Sequence, residues 1–287
     1  MADLLRPWWI LGRVSNLPTV WSNCLAAWML GGGGSWERLG WAALGGSLIY
    51  VGGMWLNDAC DIEFDRVYRP ERPIAAGAVG LGTVWAGGFG MLIVGWVCLA
   101  RLGAVGVGAG LALLVAVVVY DVVHKVVSFA PVLMAACRGL LFVVAGSAGD
   151  EGLTGEAVWS AVVLALYVVG VSYVARRESV GGVLAYGPLV LMAAPLLLAG
   201  FVNPPNYWGT ASVLMPVLLF GIWTFRCLTP LWRRDLAQGA RVAVPGLLAG
   251  IVWVDVVAVM PPAWPFGVAF LALFGSALLL QRVVPAT

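Results

Sequence analysis

Long apolar runs recur from one end of this chain to the other, and no other feature constrains its fold as much. Ten can be marked, at 17–34, 39–56, 80–100, 102–120, 129–148, 157–174, 183–201, 211–228, 242–260 and 264–280. A helix rises 1.5 Å per residue, so about 20 apolar residues cross a hydrocarbon core about 30 Å thick. Charged residues make up 10% of the chain and hydrophobic ones 62%, where an ordinary soluble domain is roughly a quarter charged. So few charges cannot coat a water-dissolved surface. The pattern excludes a soluble globule and predicts an all-α polytopic bundle of nine or ten transmembrane helices. The uncertainty of one lies at the last two runs, which only Pro261, Pro262 and Ala263 separate. Loops of no more than about 25 residues leave no room for an extramembrane domain, so residues 1–287 read as a single membrane domain whose chemistry lies in the bundle or at its mouth.

Basic residues set the orientation. With the N-terminus in the cytoplasm, only Arg38 and Arg101 fall outside and Arg138 falls inside the fifth run, while the other arginines and Lys125 lie on the cytoplasmic side. That asymmetry predicts an integral protein of a bacterial inner membrane, with its polar loops facing the cytoplasm. Asp3, Arg6 and Arg13 precede a first run that ends in glycines without a small-residue cleavage pattern, which reads as an uncleaved span. Tryptophans near run ends, among them Trp36, Trp41, Trp208 and Trp264, suit the interfacial belt. A net charge of +2 gives no reason to expect a nucleic-acid partner. The five cysteines form no Cys-x-x-Cys pair and His124 is the only histidine, so any metal is expected to be a hard, oxygen-bound cation.

One segment carries chemistry. The second run leads into Asn57-Asp58-Ala59-Cys60-Asp61-Ile62-Glu63-Phe64-Asp65-Arg66, followed by Arg69-Pro70-Glu71-Arg72-Pro73. At about 100° per residue, Asp58, Asp61 and Asp65 fall within a sector of roughly 60°, with Glu63 pointing away. Three like charges at the end of an apolar helix oppose one another's ionisation unless a cation sits among them. Carboxylate oxygens suit Mg2+, which typically takes one or two protein carboxylates and completes its shell with water and phosphate oxygens. Arg66, Arg69 and Arg72 follow directly, and guanidinium groups match phosphate oxygens in pairs. Carboxylates for magnesium beside arginines for phosphate describe a diphosphate site. The plainer alternative is a cytoplasmic loop that is polar only because loops are.

These motifs resemble the UbiA superfamily of intramembrane prenyltransferases. The resemblance rests on Asn-Asp-x-x-Asp-x-x-x-Asp at Asn57 to Asp65, Arg-Pro-x-Arg-Pro-Ile-x-x-Gly from Arg69 to Gly77, and Tyr-x-x-x-x-Lys from Tyr120 to Lys125. It implies a helical bundle around a central cavity that binds an isoprenoid diphosphate through Mg2+, and transfer of the prenyl group to an aromatic or other nucleophilic acceptor in the bilayer. Asp58, Asp61 and Asp65 fall on the family's first aspartate motif, with Asn57 at its head. Arg72 falls on the nearby phosphate-binding position and Lys125 on the basic position after the fourth helix. The sequence departs from the family at its second aspartate motif, which here reads Tyr173-Val174-Ala175-Arg176-Arg177-Glu178. Arg176 and Arg177 then offer charge to the diphosphate, and Glu178 serves as ligand or base, with Asp121 as a second carboxylate that could compensate. The Tyr-Asp-x-x-His-Lys and Arg-Arg-Glu elements look like the subgroup called EboC. Because arginines bind diphosphate without offering a metal ligand, a non-catalytic isoprenoid or lipid-phosphate carrier of the same fold is the alternative.

Other polar residues in the runs have two readings each. His124 and Lys125 read either as a positive-inside anchor or as part of the site, the anchor being preferred for His124 and the site for Lys125. Arg138, about ten residues into the fifth run, is a functional candidate by its depth, unless it snorkels to the surface. Asn16, Asn23, Tyr120 and Tyr173 are candidate cavity residues, and polar pairs between packed helices are the ordinary alternative. Asp255 has no assigned role.

Overall fold

Apolar residues at helical spacing without strand-like alternation build helices here, and in the computed structural model every regular element among the described residues is helical. The structure describes residues 2–180, 186–197, 211–260 and 263–286. In chain order the helices are α1 (Ala2–Leu11), α2 (Leu17–Leu30), α3 (Trp36–Cys60), α4 (Ile62–Tyr68), α5 (Leu81–Ala100), α6 (Ala104–Val123), α7 (Ala130–Gly146), α8 (Gly155–Val180), α9 (Tyr186–Leu191), α10 (Ala211–Leu228), α11 (Pro230–Arg233), α12 (Leu236–Ala249), α13 (Ile251–Ala258) and α14 (Trp264–Leu280), with a 3-10 turn at Val14–Asn16.

Among the described residues six helical stretches are long and apolar enough to cross a membrane: Trp36–Cys60, Leu81–Ala100, Ala104–Val123, Gly155–Glu178, Leu214–Arg233 and Leu236–Ala258. The expected nine or ten spans are not confirmed. Run length overstates helix length wherever glycine ends a helix without ending the apolar run. The first run continues through Gly32, Gly33 and Gly34, all at positive φ, so α2 keeps 14 residues, about 21 Å of rise. α7 and α14 have 17 residues each. Part of the seventh run, with Trp208, Pro261 and Pro262, lies outside the described residues.

Lipid contact explains the outer surface. On α6, Val107, Leu111, Val115, Val119 and Val122 are all exposed, a helical stripe of β-branched and aliphatic side chains that water would not tolerate and acyl chains do. Phe89, Ile93 and Val97 continue that surface on α5. Trp36 and Trp264, both exposed, stand at the starts of α3 and α14.

Glycines let α3 and α5 touch backbone to backbone. A Cβ on Gly45 would lie 2.8 Å from the Gly95 carbonyl, and one on Gly52 would lie 2.8 Å from the Gly88 carbonyl, the small-residue contact by which helices associate in lipid. This packing fixes the helix that carries Asn57 and Asp58. At the centre lies α2, buried along most of its length, against α3, α7, α13 and α14. The C-terminal ends of α3, α6 and α8 meet the start of α2 and the N-terminus of α7 at one end of the bundle, where a cavity of about 640 Å³ opens.

Candidate functional site

The cavity has a polar mouth and an apolar interior. Its walls include Val20, Ile49, Leu113, Val117, Leu141 and Val168, while Asn57, Asp61, Arg69, Arg72, Lys125 and Arg176 stand at the mouth. Asp121, His124, Tyr120 and Glu178 also line it.

α3 stops at Asp61, where the chain turns into the short α4, and the acids stay near enough for the charges of Asp58 and Asp61 to act on Asp65. Asn57 and Asp61, one helical turn apart, line the cavity; Asp58 and Asp65 are buried beside it and do not line it. Asp58 accepts from Arg13 at 3.3 Å and from Arg72 at 3.4 Å. Asp61 pairs with Lys125 Nζ at 2.7 Å and lies 3.4 Å from His124 Nε2. Burial works to raise the Asp61 carboxyl, but the hydrogen bonds and charge of His124 and Lys125 outweigh it and hold the group below its ordinary value. Burial opposes the charged form of His124 too, and Asp61 overrides it, raising the imidazole. Asp65 is raised by burial and by the neighbouring charges of Asp58 and Asp61, against the opposing pull of Arg72. The guanidinium of Arg72 is lowered, by burial and by Arg13 close by.

Among the described residues, no three acidic, histidine or cysteine side chains converge on one point to cage a metal. Two oxygens nevertheless suit one. Asp65 Oδ1 and Asp121 Oδ2 are buried without a hydrogen-bond partner, and such an oxygen is costly unless something positive meets it. Asn57 Nδ2 donates to the other oxygen of Asp121 at 3.2 Å, which ties α6 to the motif on α3. Hard oxygen donors at a phosphate-sized basic mouth fit Mg2+, which needs only one or two carboxylates from the protein.

The segment at the end of α8 divides. Arg176 lines the cavity and donates to the carbonyls of Val127 and Ser128, each at 3.1 Å, holding the α6–α7 loop. Glu178 lines the cavity and accepts from Arg241 Nε at 3.2 Å. Arg177 turns away and donates to the Tyr173 hydroxyl at 2.7 Å; neither of these two lines the cavity. Arg66 is exposed on α4, also off the cavity wall.

Several site residues escaped the sequence reading. Arg13, read only as an orientation charge, is the partner of Asp58, and among the described residues it is the only non-glycine at positive φ, 43°. Strain of this kind persists where surrounding contacts enforce it. Phe64 places its ring 4.2 Å from Lys125 Nζ, and Tyr50 places its hydroxyl 3.2 Å from Asn16 Nδ2 and its ring 5.5 Å from the Arg138 guanidinium. Asp255, fully buried, accepts from Ser22 at 2.5 Å and from Asn23 at 2.8 and 2.9 Å. The available signal was that Asn23, Arg138 and Asp255 are strongly polar residues within three apolar runs.

A family model for the UbiA prenyltransferase family matches residues 15–246. The chain belongs to that family. Among curated relatives, the digeranylgeranylglyceryl phosphate synthase of Metallosphaera sedula is 43% identical over 49 residues, 17% of each chain. That of Sulfolobus acidocaldarius is 22% identical over 174 residues, 61% of each chain. The chain thus spans less than two thirds of the length of either relative. Two solved structures share the fold. A chain described under digeranylgeranylglyceryl phosphate synthase in membranes superposes with a TM-score of 0.62 at 16% identity, covering 96% of this chain and 99% of that one. The apo structure of a UbiA homolog from Aeropyrum pernix K1 gives 0.62 at 17% identity, over 85% and 98%. This is an integral membrane protein of the UbiA fold.

Proposed function

We propose that this UbiA-family protein transfers a prenyl group from an isoprenoid diphosphate to a nucleophilic acceptor within the bilayer. One observation carries the reading: a single cavity joins an apolar interior to a mouth where Arg72, Lys125 and Arg176 stand beside Asn57 and Asp61. A donor with a charged head and a hydrocarbon tail has that same division. The mouth faces the cytoplasm in this reading, where the basic loops gather.

Arg69, Arg72, Lys125 and Arg176 bind the diphosphate, with Lys125 exchanging its contact with Asp61 for a phosphate oxygen. Asp61 and the free oxygen of Asp121, both on the cavity wall, would hold Mg2+, which would supply charge neutralisation for the leaving group. Asp58 does not reach the cavity; paired with Arg13 and Arg72, it positions the latter. The C–O bond to the prenyl carbon breaks with its electron pair going to the diphosphate, and the arginines stabilise that charge where it develops. Tyr120 and Phe64 offer π-faces to the allylic cation, and the apolar walls keep water from it. The acceptor's nucleophile closes the new bond and gives its proton to Glu178, which lines the cavity with Asp61 and Asp121.

The pairing of acids with bases at the mouth favours a second reading, a carrier that binds the same diphosphate without turnover. The names of the curated relatives speak for a synthase. Incubation of the purified protein with labelled prenyl diphosphates and Mg2+ separates the two. Metal-dependent release of diphosphate is the expected result, and tight binding without release across several acceptors would establish the carrier.

A further inference from the structure

The two sides of the cavity mouth carry different chemistry. At the ends of α3 and α6 stand oxygens: Asp61 and Asp121 line the cavity, and Asp121 Oδ2 is buried without a hydrogen-bond partner. At the end of α8 stands a cation. Arg176 lines the cavity, and its Nη1 donates to the carbonyls of Val127 and Ser128. Both acceptors are neutral, and among the described residues no carboxylate forms an ion pair with Arg176. A guanidinium has five N–H groups. Both bonds use Nη1, while Nε and Nη2 make none among the described residues. The carboxylate that α8 does offer to the cavity, Glu178, is already met by Arg241 at 3.2 Å.

This division decides where a metal ion can sit. Mg2+ wants hard oxygens and takes one or two of them from protein carboxylates, which the α3–α6 side supplies. On the α8 side a dication would share its one carboxylate with Arg241 and face the like charge of Arg176, which opposes its binding. A guanidinium needs no carboxylate there, because its planar donors match phosphate oxygens directly. The loop between α6 and α7 fixes its plane through two carbonyls, and the same loop carries Lys125, whose Nζ reaches Asp61 at 2.7 Å. One short segment therefore ties the acid on α3 to the cation on α8 and sets the distance between them.

We propose that Arg176 does on the α8 side of the mouth what a second metal ion would do, so that the donor's diphosphate is held by a single Mg2+ and one fixed guanidinium per chain. The proposal rests on the prenyl-transfer reading and adds its metal stoichiometry, and its test needs no turnover. The detergent-purified full chain is saturated with farnesyl thiodiphosphate, a donor analogue that does not react, and bound Mn2+, standing in for Mg2+, is counted by electron paramagnetic resonance. One ion per chain is expected; two would overturn the proposal. Calorimetric titration of the same analogue in EDTA supplies the second readout. Wild type should still bind it, more weakly than with Mn2+, because a guanidinium acts on phosphate without a metal. Binding that vanishes in EDTA but appears with Mn2+ would overturn the proposal. Arg176→Gln should weaken metal-free binding by about 10- to 100-fold, the scale of charge-assisted hydrogen bonds. Arg176→Lys, which keeps the charge but cannot span both carbonyls, should lose clearly less. Equal losses in the two variants would mean that Arg176 only pins the loop, and no loss in Arg176→Gln would mean that it does not meet the phosphate; either overturns the proposal. If the variants do not fold, the ion count on wild type decides alone. Failure of wild type to bind the analogue with or without Mn2+ would sink the prenyl-transfer reading and this one together, whereas a second bound ion would remove only this one.

Discussion

Two charged regions lie along one cavity, and they are built on opposite plans. At the mouth, cations meet carboxylates directly: Arg13 and Arg72 on Asp58, and Lys125 on Asp61 at 2.7 Å. In the interior, Arg138 and Asp255 are kept apart by Asn23. Lys125, with its side chain 38% exposed, exchanges partners readily, since solvent screens the intermediate states. A mouth of this kind suits a ligand that arrives with several negative charges and its own cation. A pair held apart in the interior cannot relax into a salt bridge without repacking α2, so its cation stays available. The difference teaches that burial alone does not mark a binding residue; what matters is whether the charge is already answered.

The comparison can be broken at four places. The largest effect is expected at Asp61→Ala, which removes the acid on the cavity wall and leaves Lys125 and His124 without their partner. Diphosphate release should fall by about 10²–10³-fold, the range for removing one group that stabilises developing charge, in a steady-state assay at saturating donor. Asp58→Asn should do less, because Asp58 touches no part of the cavity: a loss of about 10-fold, seen mainly as weaker donor affinity through a misplaced Arg72. A result at Asp58 as severe as at Asp61 would mean that all three acids act together, as the sequence pattern implied.

In the interior, Asp255→Asn keeps the hydrogen bonds of Ser22 and Asn23 feasible but removes the charge behind them. The thermal midpoint should fall by about 2–4 °C, since Asn23 loses the charged acceptor that orients it toward Arg138, and an unchanged midpoint would show that this chain of contacts does not stabilise the bundle. The smallest effect belongs to Arg241→Ala. Its contact with Glu178 is 3.2 Å long, but the arginine side chain is 74% exposed, and exposed pairs contribute little. Stability should be unchanged within error by thermal unfolding, and activity within about 2-fold.

The mouth was far more legible in sequence than the interior. Asn57, Asp61, Arg72 and Lys125 announce themselves because polar residues cluster where an apolar run stops, and the spacing places them at one helix end. The same spacing did not show that Asp58, a turn back from Asp61, is buried against Arg13 and Arg72 off the cavity wall, because both arginines come from other segments of the chain. Arg13 was invisible as a site residue because nothing in an N-terminal Arg announces a left-handed backbone or a partner 45 positions away. Asn23, Arg138 and Asp255 come from three separate runs, and only the packing of α2 against α7 and α13 brings them together. Helix type followed directly from the apolar pattern. Span count did not, because glycine turns such as Gly32–Gly34 are apolar in composition and non-helical in geometry.

The central claim is that the basic and acidic groups at the mouth act on a prenyl diphosphate. It is tested most directly by incubating the purified protein with a labelled prenyl diphosphate, with and without Mg2+, beside the Asp61→Ala variant. The account predicts diphosphate release by wild type that requires the metal and is lost in the variant. Equal release from both proteins, or donor affinity that neither Mg2+ nor Asp61 alters, would contradict it.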